Sequence, residues 1–312
     1  MYFGMAFSPD SKWIAAASDE GHGRIWNSTT GELVHTLSVE EERMLTLAFS
    51  PDSKLIATGS EVLRVWDVHT GELLHTLPAP GDHSLSFSAF HERNEWPAEI
   101  CTVSFSANSK WLISGSPDTR MVCIWDTESW KLEHTLRGYY AACFSPDGMH
   151  LAVPTDEHET IHLYDTLAWQ LQSTLKTPDQ ETFASTFSPD GKTIATYSRR
   201  QMRLWCVESG KAIRTFEDPT RKLSSPTFSP DGKVLIAGAR KCGLRVWDVE
   251  SGDCLLMFEP EDGDRWRWNP SGGRAGPPAF EILFGDGKAK VAVAFPDGGI
   301  RLWDVRWESE ST

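Results

Sequence analysis

The sequence predicts an all-β chain assembled from seven copies of one four-strand unit. Three observations carry this. The stretch 45–77, LTLAFSPDSKLIATGSEVLRVWDVHTGELLHTL, breaks into four short apolar runs separated by turn signals. Its opening turn signal recurs along the chain, as FSPD from Phe7, Phe49, Phe144, Phe187 and Phe228, and weakened to FSAN from Phe105 and FGDG from Phe284. An aromatic recurs in each third run: Trp26, Trp66, Trp125, Tyr164, Trp205, Trp247 and Trp303.

Within 45–77 the runs are LTLAF, LIATGS, LRVWDV and ELLHTL. Ser50-Pro51-Asp52 fits a type I turn after the first, with Pro fixing φ and Ser or Asp bonding the backbone. Thr70-Gly71 marks the turn after the third, where Gly supplies positive φ. The second strands are WIAAAS, LIATGS, WLISGS, LAVPT, TIATYS, VLIAGA and VAVAF; six fourth strands follow as ELVHTL, ELLHTL, KLEHTL, QLQSTL, KAIRTF and CLLMF. Repeats at such a period act as one fold, so 1–312 is a single domain, with copies at about 1–37, 43–77, 99–136, 139–175, 182–216, 223–258 and 279–312. Copy seven shows no fourth strand after Trp303, and copy one begins inside its first strand, so twenty-seven strands are expected. Strand 300–305 is then an open edge onto which another chain could donate a strand. The polypeptide is expected to be a piece of a longer protein, or to have that edge filled by a partner.

These motifs resemble the WD-repeat family of β-propellers. RIWN, RVWD, CIWD, RLWC, RVWD and RLWD match its signature third strand, and the resemblance covers nearly the whole chain. It implies a seven-bladed β-propeller around a central channel, the last blade lacking its outer strand. Blades covering one another explain second strands that are apolar on both sides. The family's Gly-His pair before the first strand is missing, Gly138-Tyr139 being the nearest remnant, and its turn Asp is recognisable only at Asp19, Asp118, Asp156 and Asp297. Hydrophobic packing is therefore expected to carry stability, with few buried polar networks. The regular FSPDGK and WDVESG copies are similar to fungal propellers attached to NACHT-type sensors and to adaptor propellers of mitochondrial division.

Composition narrows the function. With 40% apolar and 24% charged residues the 312-residue chain is of ordinary soluble globular type. A formal net charge of −14 disfavours a nucleic-acid partner, which draws on Lys and Arg to release counterions. The N-terminus shows no secretory signal and no apolar run is long enough to span a membrane, so direct membrane insertion is not expected. Cys101, Cys123, Cys143, Cys206, Cys242 and Cys254 are scattered, which favours buried free thiols in a reducing, cytoplasmic setting.

No cofactor is expected, because neither a dinucleotide fingerprint nor a phosphate loop occurs. His158-Glu159-Thr160-Ile161-His162 matches H-E-x-x-H. It overlaps a third strand, where residues four apart are about 13 Å distant, too far to share one zinc. His35, His75 and His134 recur in H-T-L and read as edge-strand decoration.

Alternating strand direction puts the first-to-second and third-to-fourth turns on one face, hereafter the turn face. The second-to-third turns and the inter-copy linkers, including the long segments 78–98 and 259–278, fall on the other, the linker face. There, copies one to four offer Asp19, Glu20, Glu61, Asp118, Asp156, Glu157 and Glu159, with Glu40, Glu41 and Glu42 nearby; copies five and six offer Arg199, Arg200, Arg240 and Lys241. Such a two-sided field would orient a partner, unless these are only solvated hairpin tips. Arg265-Trp266-Arg267-Trp268 has hot-spot composition, or else anchors its own loop. Trp130 and Trp169 replace the turn Gly on the turn face, as a lid over strand ends or a second contact point. The expected function is a non-catalytic scaffold, adaptor or sensor module binding a protein or peptide; the alternative is an enzyme with its site at the channel mouth.

Overall fold

Six four-stranded antiparallel sheets and one three-stranded sheet form the computed structural model. It describes residues 2–18, 20–39, 43–78, 99–138, 141–155, 160–176, 184–197, 201–217, 224–239, 243–258, 280–285, 288–294 and 300–306. Strand order within each sheet follows the chain, so each is a simple meander. Sheet two is typical: Thr46–Phe49, Leu55–Gly59, Leu63–Asp67 and Leu73–Leu77, within a residue or two of the runs read from sequence.

The core lies between sheets. Ile25 and Leu37 of sheet one pack with Met44, Leu47, Phe49, Ile56 and Trp66 of sheet two. Leu63, Val65 and Leu77 of sheet two pack in turn with Val103, Phe105, Leu112 and Trp125 of sheet three. The same relation links sheets three and four through Ile124 and Leu151, four and five through Leu163 and Trp205, and five and six through Leu204 and Trp247. A second strand sits between two such clusters, which is why it reads as a continuous apolar run. The approach is close at Gly59, where a Cβ would lie 2.8 Å from the Ile100 carbonyl of the next sheet.

First strands lie beside one another in chain order. Tyr2–Phe7 adjoins Thr46–Phe49, which adjoins Thr102–Phe105, then Cys143–Phe144, Ala184–Phe187 and Ser224–Phe228; Phe280–Gly285 lies against Tyr2–Phe7.

The seventh sheet departs from the others. Elsewhere the ladder between second and third strands ends at Asn27, Asp67, Asp126, Asp165, Cys206 or Asp248, and the chain turns there. In sheet seven Asp304 pairs with Lys290 and the ladder runs on through Val305 to Arg306, opposite Lys288. Among the described residues no strand pairs with the outer edge of Ile300–Arg306, and Tyr2 pairs with Ser18 inside sheet one.

The Ser-Pro-Asp turn closes on itself. Ser53 N–H donates to the Ser50 carbonyl (2.9 Å), as a type I turn requires. The Ser50 hydroxyl donates to Asp52 (2.6 Å) while accepting the Leu55 N–H (2.9 Å), and Asp52 also accepts the Lys54 N–H (3.1 Å). The same set recurs at Ser8, Ser106, Ser145, Ser188 and Ser229. A left-handed residue follows each: Ser11, Ser53 and Ser109, or glycine at 148, 191 and 232.

These bonds set an acid limit. The Ser188 and Ser229 hydroxyls hold Asp190 and Asp231 below the usual carboxylate range. At Asp10, Asp52 and Asp147 partial burial pushes upward, but hydroxyl and backbone donors together outweigh it. A carboxyl depressed in the folded state contributes stability that is complete above its unfolded pKa and is lost as pH falls through the folded value. The urea midpoint is therefore expected to hold near neutrality and to decline below about pH 4. A chain carrying Asp52→Asn, Asp190→Asn and Asp231→Asn, less stable at neutral pH, is expected to decline less; equal decline would reject the turns as the acid-sensitive element.

Candidate functional site

Of the linker-face residues singled out for partner contact, Glu20, Glu61 and Asp118 fall within the described chain. The exposed Asp118 carboxylate accepts the Glu99 N–H (3.1 Å), and Glu99 pairs with Arg43 (3.3 Å), so Asp118 fastens the linker entering sheet three to the linker face. Arg199, Arg200, Arg240, Lys241, Asp156, Glu157 and Arg265 to Trp268 lie outside the described residues.

The turn face is described through sheets one to six. In sheet two Asp67 accepts the N–H groups of His69 and Thr70 (both 2.8 Å), and Gly71 N–H donates to the Asp67 carbonyl (2.9 Å). The Thr70 N–H is the main reason Asp67 sits below the usual carboxylate range. Val68 N–H donates to the Lys54 carbonyl (2.8 Å), tying this turn to the first-to-second turn, and the equivalent bond occurs in the other five sheets. Both turns thus share a face, as strand alternation predicts. Cys206 stands where other copies have Asp or Asn, and Ser209 donors pull its thiol pKa down.

The H-T-L histidines are more than edge decoration, and that expectation is corrected. Each reaches the third-to-fourth turn of the next sheet. His35 Nε2 bonds the His69 carbonyl oxygen (2.8 Å). His75 stacks on Trp130 with centroids 4.5 Å apart and planes 24° apart. His134 lies 4.9 Å from Trp169, whose edge meets Trp111 at 5.4 Å. In sheet five the equivalent residue is Arg214, which donates to the carbonyls of Ser251 (2.6 Å) and Glu250 (2.5 Å) of sheet six. One column of the repeat therefore latches sheet one to two, two to three, three to four and five to six. In sheet four its member is Ser173, whose hydroxyl has no hydrogen-bond partner among the described residues. The signal was available in the sequence, since Trp130 and Trp169 follow copies bearing His75 and His134.

Trp130 and Trp169 keep the positive φ (56° and 54°) that Gly occupies elsewhere. A non-glycine residue there costs about 1–3 kcal/mol. Ring contacts with His75 and His134, and burial of most of each side chain, work against that cost. At Gly71 the same exchange would require the His35 ring to move, because a Cβ would lie 2.9 Å from it.

Part of the polar network survives without Gly-His. Indole Nε1 of Trp66, Trp125 and Trp205 donates to Thr58, Ser114 and Thr196 of the second strand, each at 2.9 Å. His162 lies in the strand Thr160–Asp165; His158 and Glu159 lie outside the described residues. Among the described residues no group of three or more His, Cys, Asp or Glu side chains could hold a metal ion. Among the described residues no cysteine is in a disulfide and Cys123 alone is fully buried, with burial raising its thiol to about 11; Cys254 is exposed, against expectation.

The family model described as "WD domain, G-beta repeat" matches residues 3–27, 31–67, 89–126 and 210–248. The chain is 24% identical over 219 residues to "Periodic tryptophan protein 2 homolog" of Mus musculus, covering 68% of this chain and 22% of that protein. It is 29% identical over 109 residues to "WD repeat-containing protein WRAP73" of Mus musculus, covering 34% of this chain and 23% of that one. The chain therefore spans under a quarter of the length of each of these relatives.

The latch gives a direct test. A double-mutant cycle of His75→Ala and Trp130→Gly is expected to return a coupling of about 0.5–1.5 kcal/mol in urea unfolding. Trp130→Gly alone is expected to be milder than His75→Ala, because it relieves the left-handed strain. Additive effects would show that the two rings merely lie close.

Proposed function

We propose that the chain is a WD-repeat protein and a non-catalytic interaction platform, a scaffold, adaptor or sensor module of a larger assembly in the cytoplasm. In this reading seven sheets stand radially as the blades of a propeller, the last without its outer strand. The neighbour relation between first strands, with Phe280–Gly285 against Tyr2–Phe7, supports a closed ring. Free thiols support a reducing compartment.

One observation carries the functional reading. The sheets consume their apolar faces on each other, and the described turns satisfy their polar groups internally. What remains for function is a stiff surface of loops, suited to binding another protein or a peptide. We assign the contact to the linker face. Asp156 and Glu157 supply its acidic arc beside the linker that Asp118 holds, Arg199, Arg200, Arg240 and Lys241 its basic arc, and Arg265-Trp266-Arg267-Trp268 its aromatic anchor. The outer edge of Ile300–Arg306, straightened past the point where other sheets turn, suits a strand contributed by a partner.

Affinity capture with this chain as bait, followed by titration of the captured protein, tests the assignment. Binding is expected to saturate, and to weaken about tenfold or more when Arg199, Arg200, Arg240 and Lys241 are all changed to Glu with the melting curve unchanged. Undiminished binding by that variant removes the linker-face site. Turnover of a small substrate by the purified chain removes the platform reading altogether.

A further inference from the structure

Each latch runs one way. A residue of one sheet's fourth strand reaches the third-to-fourth turn of the next sheet: His35 reaches sheet two, His75 sheet three, His134 sheet four and Arg214 sheet six. Sheet one is next after sheet seven, because Phe280–Gly285 lies against Tyr2–Phe7. The turn of sheet one, Asn27 to Gly31, is therefore the one that a fourth strand of sheet seven would reach. Among the described residues a Cβ on Gly31 would meet nothing within 4 Å, whereas one on Gly71 would lie 2.9 Å from His35 and one on Gly252 2.8 Å from Arg214. Gly31 is exposed where Gly71, Gly210 and Gly252 are partly buried.

The register of the six complete sheets states what fits the edge of the seventh. In sheet two the Asp67 N–H donates to the Glu72 carbonyl on the fourth-strand side (2.9 Å), so by alternation Val65 and Leu63 also turn their backbone groups that way. The ladder with the second strand makes Asp304, Leu302 and Ile300 their counterparts. Opposite the counterpart of Ile300 stands Leu37, Leu77, Leu136, Leu175, Phe216 or Phe258. Opposite that of Arg301 stands Thr in five sheets and Met257 in sheet six. Opposite that of Leu302 stands the latch residue, and opposite that of Trp303, past a one-residue bulge, stands Leu in four sheets.

We propose that the outer edge of Ile300–Arg306 takes an extended segment of another protein that reads Leu, any residue, His or Arg, Thr, then Leu or Phe, and that its His or Arg bonds the Thr29 and Thr30 carbonyls of sheet one. Those carbonyls correspond to the His69 carbonyl that His35 meets, and to the Glu250 and Ser251 carbonyls that Arg214 meets. One added strand thus completes sheet seven and also latches it to sheet one. Within residues 1–312 the segments ending in His-Thr-Leu or Arg-Thr-Phe are already the fourth strands of sheets one, two, three and five. A second copy's edge, IRLWDVR, lacks the pattern, so the occupant is a different chain. This inference rests on the strand-donation reading above and names the strand.

The probe is a labelled synthetic peptide with the sequence of residues 71–78, GELLHTLP, titrated against the full chain by fluorescence anisotropy. Binding is expected to saturate, to survive His75→Arg in the peptide, and to weaken about tenfold or more with His75→Asp or Leu77→Asp. N-methylation of the peptide's His75 amide, which faces the edge, is expected to abolish binding; at Thr76, which faces away, it is expected to leave affinity within about twofold. Gly31→Trp in the chain is expected to tighten the peptide about two- to tenfold, as Trp130 stacks on His75 in the native fold, and to leave a His75→Ala peptide unchanged. A peptide that does not bind, or that is indifferent to the methylated position or to Gly31→Trp, overturns the proposal. Amide exchange separates this failure from that of the wider reading. Peptides of other sequence that protect the amides of Ile300, Leu302 and Asp304 would remove the motif and leave strand donation standing. Protection of those amides in the free chain would remove both, because the chain's own residues or a second copy would then cover the edge.

Discussion

Sheets two to five each have two apolar faces and can hide neither alone. Leu63 and Val65 are buried because Val103 and Leu112 of the next sheet lie over them, while Trp66 closes the space toward sheet one. This mutual covering is the constraint on which the rest depends. It explains second strands apolar throughout, the glycine at position 59, and the absence of one central core. It is also why a short repeat folds only in company.

Polar chemistry is then left to the turns, where it is spent locally. One serine hydroxyl and one aspartate close the first-to-second turn, and one aspartate or asparagine closes most third-to-fourth turns. Cys206 shows how the position tolerates a weaker acceptor when the surrounding ladder is intact. Between sheets, the column of His35, His75, His134 and Arg214 adds a second kind of joint, directional where apolar contact is not. A joint made by ring stacking in one place and by guanidinium–carbonyl bonds in another serves the same mechanical purpose.

Rigid turns free the residues between them to vary. In sheet four Met149, Leu167 and Ala168 stand where the other five four-stranded sheets have polar residues, with no change in backbone bonding. On the linker face, Asp118 shows the converse, a charge that seemed free for a partner but holds its own linker. Charge patterns on this fold therefore carry function only where the turn does not already need the group.

Strand limits, turn chemistry and the period of the repeat were determined by the sequence alone, because each rests on contacts between residues a few places apart: Ser50 with Asp52 and Leu55, Asp67 with Thr70. Tertiary structure alone decided that His75 lies on Trp130, that Arg43 and Glu99 tie adjoining linkers, and that strand Ile300–Arg306 runs straight where its counterparts turn. Those pairings depend on how one sheet is rotated against the next. That angle is set by the summed packing of two apolar faces, and no short stretch of sequence contains it.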